Sequence, residues 1–200
     1  MQSAPQAAIQ KLASHLGVLR PRDVESIGIP REYLLRLMRQ GVVVRSGRGL
    51  YRLADAPVTE HRSLAEVGKR VPDAAICLLS ALVFHDLTTQ IPPEVWIALP
   101  AGRRSPKLDT VRTRVVRFTG AALTEGREQH NLEGVSVTIY SAAKTVADCF
   151  KFRNKIGLDV AMEALRNCLR TRKATAGEIN RYAHICRVAR VMRPYLEAIT

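Results

Sequence analysis

The sequence lacks the features of a membrane-spanning or secreted protein. Its longest nearly uninterrupted apolar stretch, Ala74 to Phe84, is too short to cross a bilayer and predicts a buried helix. The first residues, Met1 to Pro5, do not place an apolar region after a basic one, as a secretory signal does. We therefore expect a cytoplasmic protein that does not associate with membranes.

Metal-site and nucleotide-site signatures are also missing. The four cysteines form no CxxC pair, and no two histidines stand at metal-ligand spacing. We expect four buried free thiols in a reducing compartment, no metal ion and no cofactor. The sequence contains no P-loop, zincin or dinucleotide-binding motif. The cysteines are Cys77, Cys149, Cys168 and Cys186.

Two sets of polar residues resemble catalytic groups without forming a recognisable site. Ser80, His85 and Asp86 are close in the sequence, but Ser80 falls inside an apolar helical run, where its hydroxyl is expected to bond the backbone one turn earlier. His85 is expected at a helix end, where the helix dipole favours it. Glu94 and Lys144 suggest a nuclease-type pair, but no aspartate stands at a helpful spacing before Glu94. We predict that the protein is not an enzyme.

Acidic residues are scarce relative to basic ones. The chain has 18 Asp and Glu against 31 Lys and Arg, which gives a net charge of +13. The excess lies at the two ends, because residues 1–54 hold nine basic against three acidic residues and residues 166–200 hold eight against two. Almost all of it is arginine, whose planar guanidinium binds phosphate in a bidentate manner. This distribution predicts a polyanionic partner; the alternative is a basic protein from an arginine-rich proteome.

The first 54 residues predict three helices followed by a hairpin. Apolar spacing indicates helices over 6–16 and 19–27 and a third over 30–40, with Pro30 at its first position and Gly41 as its stop. Two β-prone runs, 42–45 and 50–53, flank a turn that contains two glycines. This order of elements is typical of a winged helix-turn-helix: two helices, a turn, a third helix and a hairpin with glycines at its tip.

The third helix is the predicted DNA reader. In winged-helix folds this helix lies in the major groove, where arginine pairs with guanine. We expect its inward face to carry Leu34, Leu37 and Met38. Its outward residues are then Arg31, Glu32, Leu35, Arg36 and Arg39.

Further DNA contacts are predicted outside the third helix. Three arginines lie on the wing, where they would contact phosphate or the minor groove: Arg45, Arg48 and Arg52. Arg20 and Arg22 lie near the start of the second helix, whose amide end is expected to seat a phosphate.

The rest of the chain predicts a second domain over 59–200, after a winged-helix domain over 1–54 and a linker over 54–58. Its predicted helices and strands are helices 60–70 and 73–85, strands 94–99, 111–118 and 135–140, and helices 141–152 and 158–169. The helix predicted over 158–169 is expected to place Leu158, Met162, Leu165 and Leu169 on one face. A capping box from Thr175 to Glu178 opens a last helix. The predicted fold class is α+β: an N-terminal winged helix-turn-helix followed by a mixed α/β domain with a small sheet covered by helices.

Arginines crowd the C-terminal helices and form a predicted secondary basic patch. This patch either extends the DNA footprint through sequence-independent contacts or forms an electropositive surface for an acidic protein or an RNA. A merely solubilising surface is the alternative. The patch comprises Arg166, Arg170, Arg181, Arg187 and Arg190.

Five segments together resemble one known family. They are Leu34 to Gly41, Arg45 to Leu53, Ile76 to Thr88, Glu94 to Pro100 and Val137 to Asp148. Over these segments, which span nearly the whole chain, the sequence resembles AbiEi-type antitoxins of type IV toxin–antitoxin systems, which are linked to phage defence. The most specific pieces are the Arg-Gly-Leu-Tyr end of the wing and the Leu-Ser-Ala-Leu-x-x-His-x-Leu-Thr segment.

The resemblance implies two activities. The winged helix would bind double-stranded DNA at inverted repeats in the protein's own promoter and repress transcription. The C-terminal domain would counter a cognate nucleotidyltransferase-like toxin, with or without a stable complex. The acidic partner or RNA of the secondary basic patch would then be that toxin or its RNA substrate. Tyr51 matches the family's wing tyrosine, although we favour hydrophobic packing for its side chain. Carried over by position, the DNA-contacting candidates are Arg31, Arg36, Arg39, Arg45 and Arg48.

Three other functions fit parts of the sequence. A stand-alone winged-helix regulator with a sensor or interaction domain would contain a ligand pocket in its second domain. A DNA-processing enzyme would cleave its target DNA in a metal-dependent manner. An adaptor with basic ends would show no DNA sequence preference.

Overall fold

The computed structural model describes residues 4–55 and 60–199, which divide into two compact units. Most of the predicted linker and the predicted domain boundary lie outside the described residues. Unit 1 comprises Met1–Val71, Lys107–Arg112 and His130–Val137. Unit 2 comprises Pro72–Pro106, Thr113–Gln129 and Thr138–Thr200.

Unit 1 begins with the winged helix-turn-helix arrangement. Three helices, α1 (Ala4–Leu16), α2 (Pro21–Glu25) and α3 (Glu32–Arg39), precede an antiparallel hairpin of β1 (Val43–Gly47) and β2 (Leu50–Leu53). Their core contains Ile9, Leu19, Leu34, Leu37 and Val43, none of them more than 1% exposed. The predicted helices and wing are therefore confirmed in type and order.

Two details of the third helix differ from the prediction. Helix α3 begins at Glu32, and Pro30 instead lies in the preceding turn, where its carbonyl accepts a hydrogen bond from the Tyr33 amide. The predicted inward position of Met38 is wrong, because this side chain is 37% exposed. The buried stripe of α3 consists of Leu34 and Leu37 alone and is narrower than the three-residue face that the spacing predicts.

Helix α4 (Arg62–Arg70) completes unit 1 and confirms the helix predicted over 60–70. Lys69 forms a half-buried ion pair with Asp23 of α2, at 3.0 Å. The Glu66 carboxylate accepts a hydrogen bond from the Thr110 hydroxyl. Gly68 lies so close to Val137 that a β-carbon at Gly68 would stand 2.8 Å from the Val137 Cγ2 atom. Helix α4 is therefore joined both to the winged helix and to the later segments of unit 1.

Unit 2 is built around a mixed five-stranded sheet. Its strands are β3 (Ala75–Ile76), β4 (Val95–Pro100), β5 (Thr113–Phe118), β6 (Arg127–Leu132) and β7 (Val135–Tyr140), in the order β5-β4-β3-β7-β6. Strand β3 runs antiparallel to β4 and parallel to β7, and β4 runs parallel to β5. The α+β class is confirmed, as are three of the strands, whereas β3 and β6 are additions to the predicted sheet. The turn between β6 and β7 is assigned to unit 1.

The apolar helix predicted over 73–85 is wrong in its first half. Ala75 and Ile76 form β3, pairing with Ala98 and Ile97, and only then does α5 (Leu78–Phe84) begin. The Cys77 amide donates a hydrogen bond to the Trp96 carbonyl at the point of change. An apolar run of this kind does not distinguish a buried strand from a buried helix, because both bury every side chain.

Six further helices complete unit 2. They are α6 (Ala121–Thr124), α7 (Ala142–Lys151), α8 (Arg153–Ile156), α9 (Leu158–Arg170), α10 (Ala176–Ile185) and α11 (Ala189–Glu197). The capping box of Thr175 and Glu178 is confirmed, but α10 is not the last helix. Leu158 is 39% exposed, so the buried face of α9 differs from the predicted one and consists of Val160, Ala161, Ala164, Leu165 and Cys168. Among the described residues, no helix is long and apolar enough to span a membrane.

A buried ion pair lies in the core of unit 2. The Lys144 ammonium is 2.5 Å from the Asp148 Oδ2 atom, and neither side chain is exposed. Lys144 also lies over the ring of Tyr140, 4.1 Å from its centroid, and Cys186 donates its S–H to the Asp148 Oδ1 atom at 3.2 Å. Burial raises the pKa of Asp148, while Lys144 acts in the opposite direction. The Phe118 ring also lies near the Lys144 ammonium, 4.8 Å from its centroid, so two rings and one thiol surround the pair.

The four cysteines are free and buried, as predicted. Burial raises the pKa of Cys186 to about 12 and that of Cys168 to about 11. These thiols therefore stay protonated at neutral pH, and a protonated thiol is a poor nucleophile and a poor metal ligand.

Asp148→Asn should strongly destabilise the protein, because it leaves the Lys144 ammonium buried without a counter-charge. We expect the free energy of unfolding, measured by urea denaturation at pH 7, to fall by about 3 kcal/mol or more. Glu197→Gln is the matched control, since it removes an exposed pair with Arg193 at the same i,i+4 spacing. An unchanged midpoint for Asp148→Asn would show that the ion pair adds nothing to stability.

Gly68→Ala and Gly177→Ala should act in opposite directions, although both glycines are helical. Alanine normally favours a helix over glycine by up to about 1 kcal/mol. At Gly177 the nearest atom to an added β-carbon is 4.0 Å away, so thermal stability should rise slightly or stay unchanged. At Gly68 the stiff Val137 side chain must shift, so the melting temperature should fall, at a cost of roughly 1–2 kcal/mol. An equal gain at both positions would contradict this close packing.

Candidate nucleic-acid interface

Helix α3 presents a basic face to solvent. At 100° per residue, Glu32, Arg36 and Arg39 fall within one narrow sector, with Leu35 beside them, and all four are exposed. The Arg36 guanidinium lies over the ring of Tyr33, 5.4 Å from its centroid. Leu35 is 44% exposed. The face therefore combines two guanidinium groups with one exposed apolar side chain.

Arg31 stands immediately before α3 and is held only weakly. Its Nε atom is 3.5 Å from the Glu32 Oε1 atom, and the two side chains are 69% and 70% exposed. An ion pair this exposed adds little stability, because water screens it and both side chains stay mobile. Arg31 is therefore free to exchange Glu32 for another anion.

The wing places its arginines on different sides of the hairpin. Arg45 pairs across the ladder with Tyr51, and Arg52 pairs with Val44. Since successive side chains of a strand alternate between faces, Arg45 and Arg52 point in opposite directions. The Arg45 Nε–H donates to the Gly47 carbonyl at 3.2 Å, and Arg52 donates to the Leu53 carbonyl at 3.1 Å. One flat DNA surface therefore cannot engage both side chains in this arrangement.

Tyr51 packs on the hydrophobic core of unit 1, as favoured from the sequence. Its backbone exchanges two hydrogen bonds with Leu19, at 2.7 and 2.9 Å. These bonds tie strand β2 of the wing to the segment between α1 and α2.

Four of the predicted arginines meet in one cleft, together with a fifth arginine that was not among the predicted contacts. The cleft encloses about 510 Å³ and contains one acidic residue, Glu25. Burial, followed by the neighbouring Arg22 guanidinium, lowers the pKa of Arg20; Asp23 opposes this and Arg70 adds to it. The cleft, called the arginine cleft below, is lined by Arg20, Arg22, Arg31, Arg48 and Arg70.

The start of α2 does not offer the free amide end that the sequence suggested. The Asp23 carboxylate already accepts a hydrogen bond from the Arg20 amide at 2.7 Å, and it pairs with Lys69. A carboxylate at this position repels a phosphate from the backbone amides. The arginine side chains, instead of the helix end, supply the positive field.

The other four predicted contacts lie outside the arginine cleft. Arg36 and Arg39 occupy the exposed face of α3, while Arg45 and Arg52 occupy the two faces of the hairpin. The structure thus brings together Arg20, Arg22, Arg31 and Arg48 but not all eight. Arg70 carries no local signal in the sequence, because it reaches the cleft only through the packing of α4 within unit 1.

The C-terminal arginines are exposed but do not form one cluster around a shared cleft. Arg166, Arg187 and Arg190 each line a different cleft of unit 2. Arg181 pairs with Glu125 at 3.1 Å, and Arg170 donates to the Asn167 side chain at 3.2 Å. These five side chains are therefore separate exposed cations, two of which already have partners.

The residues that resemble catalytic groups have other partners. The Ser80 Oγ atom accepts the Trp96 amide at 2.9 Å, instead of bonding the backbone one turn earlier as expected. The His85 Nε2–H donates to the Tyr140 carbonyl at 2.8 Å. Glu94 pairs with Arg114 at 3.4 Å, whereas Lys144 pairs with Asp148. Across the described ranges, no cluster of three His, Cys, Asp or Glu residues has metal-binding geometry.

A family model described as "Transcriptional regulator, AbiEi antitoxin" matches residues 6–54. Over this segment the chain is similar to AbiEi-type antitoxins. The matched segment contains α1 to α3 and the wing, and it ends before α4. The resemblance predicted from the sequence is confirmed over this segment, and with it the assignment to a family of transcriptional regulators and antitoxins.

One solved structure shares the fold of the chain. The crystal structure of the RV2827C protein from Mycobacterium tuberculosis superposes with a TM-score of 0.57, covering 91% of this chain and 72% of that chain. The two sequences are 15% identical, so this likeness concerns the fold alone. No curated protein sequence matches the chain.

Proposed function

We propose that the protein is an antitoxin-type transcriptional regulator that binds double-stranded DNA through its AbiEi-type domain. The DNA would be the protein's own promoter, read at inverted repeats, and binding would repress transcription. Unit 2 would counter a nucleotidyltransferase-like toxin. In this proposal the protein acts by binding and not by catalysis, and it works in the cytoplasm.

The observation that carries this proposal is the basic face of α3 inside a domain of a regulator family. Arg36 and Arg39 reach solvent from one side of a helix whose opposite side, Leu34 and Leu37, is buried. A helix of this kind fits the major groove, where each arginine is able to form two hydrogen bonds with guanine. The exposed Leu35 side chain suits the methyl group of thymine.

The remaining arginines of unit 1 would contact the DNA backbone. Arg31 and Arg48 flank α3 through the turn before it and the tip of the wing. Arg45 and Arg52 would take different partners, since they lie on opposite faces of the hairpin. Arg20 and Arg22 complete the proposed contacts from the start of α2. Such phosphate contacts fix orientation and add affinity that depends on salt.

Arg36→Ala should lower the affinity for the upstream DNA far more than the affinity for a scrambled duplex. The loss of a bidentate contact to guanine costs about 1–3 kcal/mol at the specific site only. Fluorescence anisotropy with both duplexes, across a salt series, measures the difference. The wild type should prefer the upstream duplex by roughly a thousandfold.

Arg104→Ala is the matched control, because it removes one exposed arginine from a loop of unit 2. It should leave the preference unchanged. Equal and steeply salt-dependent binding of the wild type to both duplexes would remove the repressor half of the proposal.

The toxin half is tested separately by co-expression with a neighbouring gene that encodes a nucleotidyltransferase-like protein. We expect that protein to arrest growth and the full chain to restore it. Arg36→Ala should restore growth as well as the wild type while losing repression, since the proposed neutralising surface belongs to unit 2. Equal loss of protection and repression in Arg36→Ala would contradict this division. Three C-terminal arginines, Arg166, Arg187 and Arg190, have no ion-pair partner among the described residues. Replacing these three with glutamate shows whether protection depends on the secondary basic patch.

A cleft in unit 2 favours a second candidate, a regulator whose second unit senses a small ligand. This cleft encloses about 310 Å³ between Phe118, Lys151, Phe152 and Arg187, with Cys186 in its wall. Two aromatic rings and three basic side chains, the third being Arg117, suit a small anion with an apolar body, although Asp148 also lines the cleft. Growth that is unaffected by either neighbouring gene, together with ligand-dependent DNA binding, would favour this candidate over the antitoxin.

A further inference from the structure

Arg70 is buried at its polar end without a hydrogen-bond acceptor. Its Nε and Nη2 atoms are shielded from solvent, and neither has a partner among the described residues. Buried guanidinium N–H groups without an acceptor are unfavourable, because the side chain loses water and gains nothing in exchange. The position of Arg70 therefore suggests that an acceptor from another molecule completes it.

The surroundings of Arg70 hold the side chain in place. A β-carbon at Gly47 of the wing would stand 3.3 Å from the Arg70 Nη2 atom and 2.8 Å from the Glu66 Oε1 atom. The absence of a side chain at Gly47 leaves this space for the guanidinium. The Glu66 carboxylate lies beside the same glycine, but its Oε1 atom already accepts a hydrogen bond from the Thr110 hydroxyl. Packing beside Gly47, instead of an ion pair, therefore holds the Arg70 side chain next to the wing.

The arginine cleft concentrates positive charge around this group. Five arginines and one acidic residue, Glu25, line this open cleft of about 510 Å³. The pKa of Arg20 is lowered by burial, by Arg22 and by Arg70, although Asp23 counteracts them. Guanidinium groups that repel one another in this way are stabilised by a bound anion. Phosphate suits them best, because the planar fork of arginine donates two parallel hydrogen bonds to its oxygens.

The place of the cleft in unit 1 favours one source of phosphate. Arg31 enters it from the turn before α3, and Arg48 enters from the turn of the wing. These are the two structures that lie beside a DNA strand when α3 occupies the major groove. A free nucleotide offers the same chemistry, but it would leave the flanking exposed face of α3 unused.

We propose that the arginine cleft is a seat for one DNA backbone phosphate, and that Arg70 of α4 is its inner contact. This inference rests on the proposed function and extends it, because Arg70 lies beyond the segment that the family model matches. The DNA-binding element is then the winged helix together with α4. The contact reads no bases, so it sets affinity and orientation without selecting a sequence.

Arg70→Gln tests the proposal, with Arg62→Gln on the same helix as the matched control. Each variant is measured by anisotropy with the upstream and the scrambled duplex over a salt series. Arg70→Gln should weaken both duplexes by the same factor, about fivefold at 0.1 M salt, and reduce the slope of log K against log salt by about 1. Arg62→Gln should change neither quantity. Arg70→Lys should keep the slope and lose part of the affinity, since an ammonium retains the charge but not the fork.

The outcomes separate this proposal from the proposed function. A wild type that prefers upstream DNA, with an Arg70→Gln variant of unchanged slope, overturns the phosphate seat and leaves the repressor intact. If the wild type shows no preference for the upstream duplex but Arg70→Gln reduces the salt slope, the phosphate seat is supported and the repressor function is contradicted. The phosphate seat is also overturned if a nucleoside triphosphate binds in a manner that depends on Arg70 while DNA binding does not depend on Arg70. Thermal denaturation of each variant, and the retained slope of Arg70→Lys, distinguish a lost contact from a lost fold.

Discussion

The half-buried ion pair between Lys69 and Asp23 joins α4 to the winged helix. Lys69 stands between Gly68 and Arg70 in the sequence. One turn of α4 therefore provides the close packing contact at Gly68, the ion pair at Lys69 and the cleft residue Arg70. Asp23 also fixes the Arg20 backbone. This one carboxylate therefore links the start of α2, the end of α4 and the geometry of the arginine cleft. If α4 moved, Arg70 would leave the cleft and the wing would lose its neighbour at Gly47.

The local organisation of the N-terminal segment was predictable because its signals are local. Glycines end α1 and precede β1, apolar spacing indicates α1 and α3, and two glycines stand in the turn of the wing. The same reasoning identified the outward arginines of α3 and the packing of Tyr51. It placed Met38 on the wrong side, because spacing alone does not show how wide a stripe the neighbours cover. Whether Arg45 and Arg52 face the same way follows only from the register of the hairpin.

The features that were missed are tertiary. Residues 107–112 and 130–137 join unit 1 from far along the chain, and nothing in their own composition indicates this. Strand β3 is two residues long and exists because Ala75 and Ile76 pair with β4 and β7. Arg70 reads as an ordinary basic residue near a helix end, where the helix dipole alone accounts for it. Its unpaired, buried N–H groups become visible only when the atoms around it are known.

A buried lysine of unit 2 has a counter-charge, whereas the buried N–H groups of one arginine of unit 1 have no acceptor among the described residues. This difference supports the different functions proposed for the two units. In unit 2, Lys144 and Asp148 compensate each other's charge, and two rings and a thiol surround them. Such a network stabilises a fold because each buried charge has a partner. In unit 1, the Arg70 Nε and Nη2 atoms are shielded from solvent beside a cleft that Arg70 helps to line, and they have no acceptor among the described residues. An incomplete site of this kind weakens the free protein slightly and strengthens its complex with an anion. The Lys144–Asp148 pair therefore belongs to the structural core of unit 2, whereas the Arg70 N–H groups indicate where an anionic partner binds unit 1.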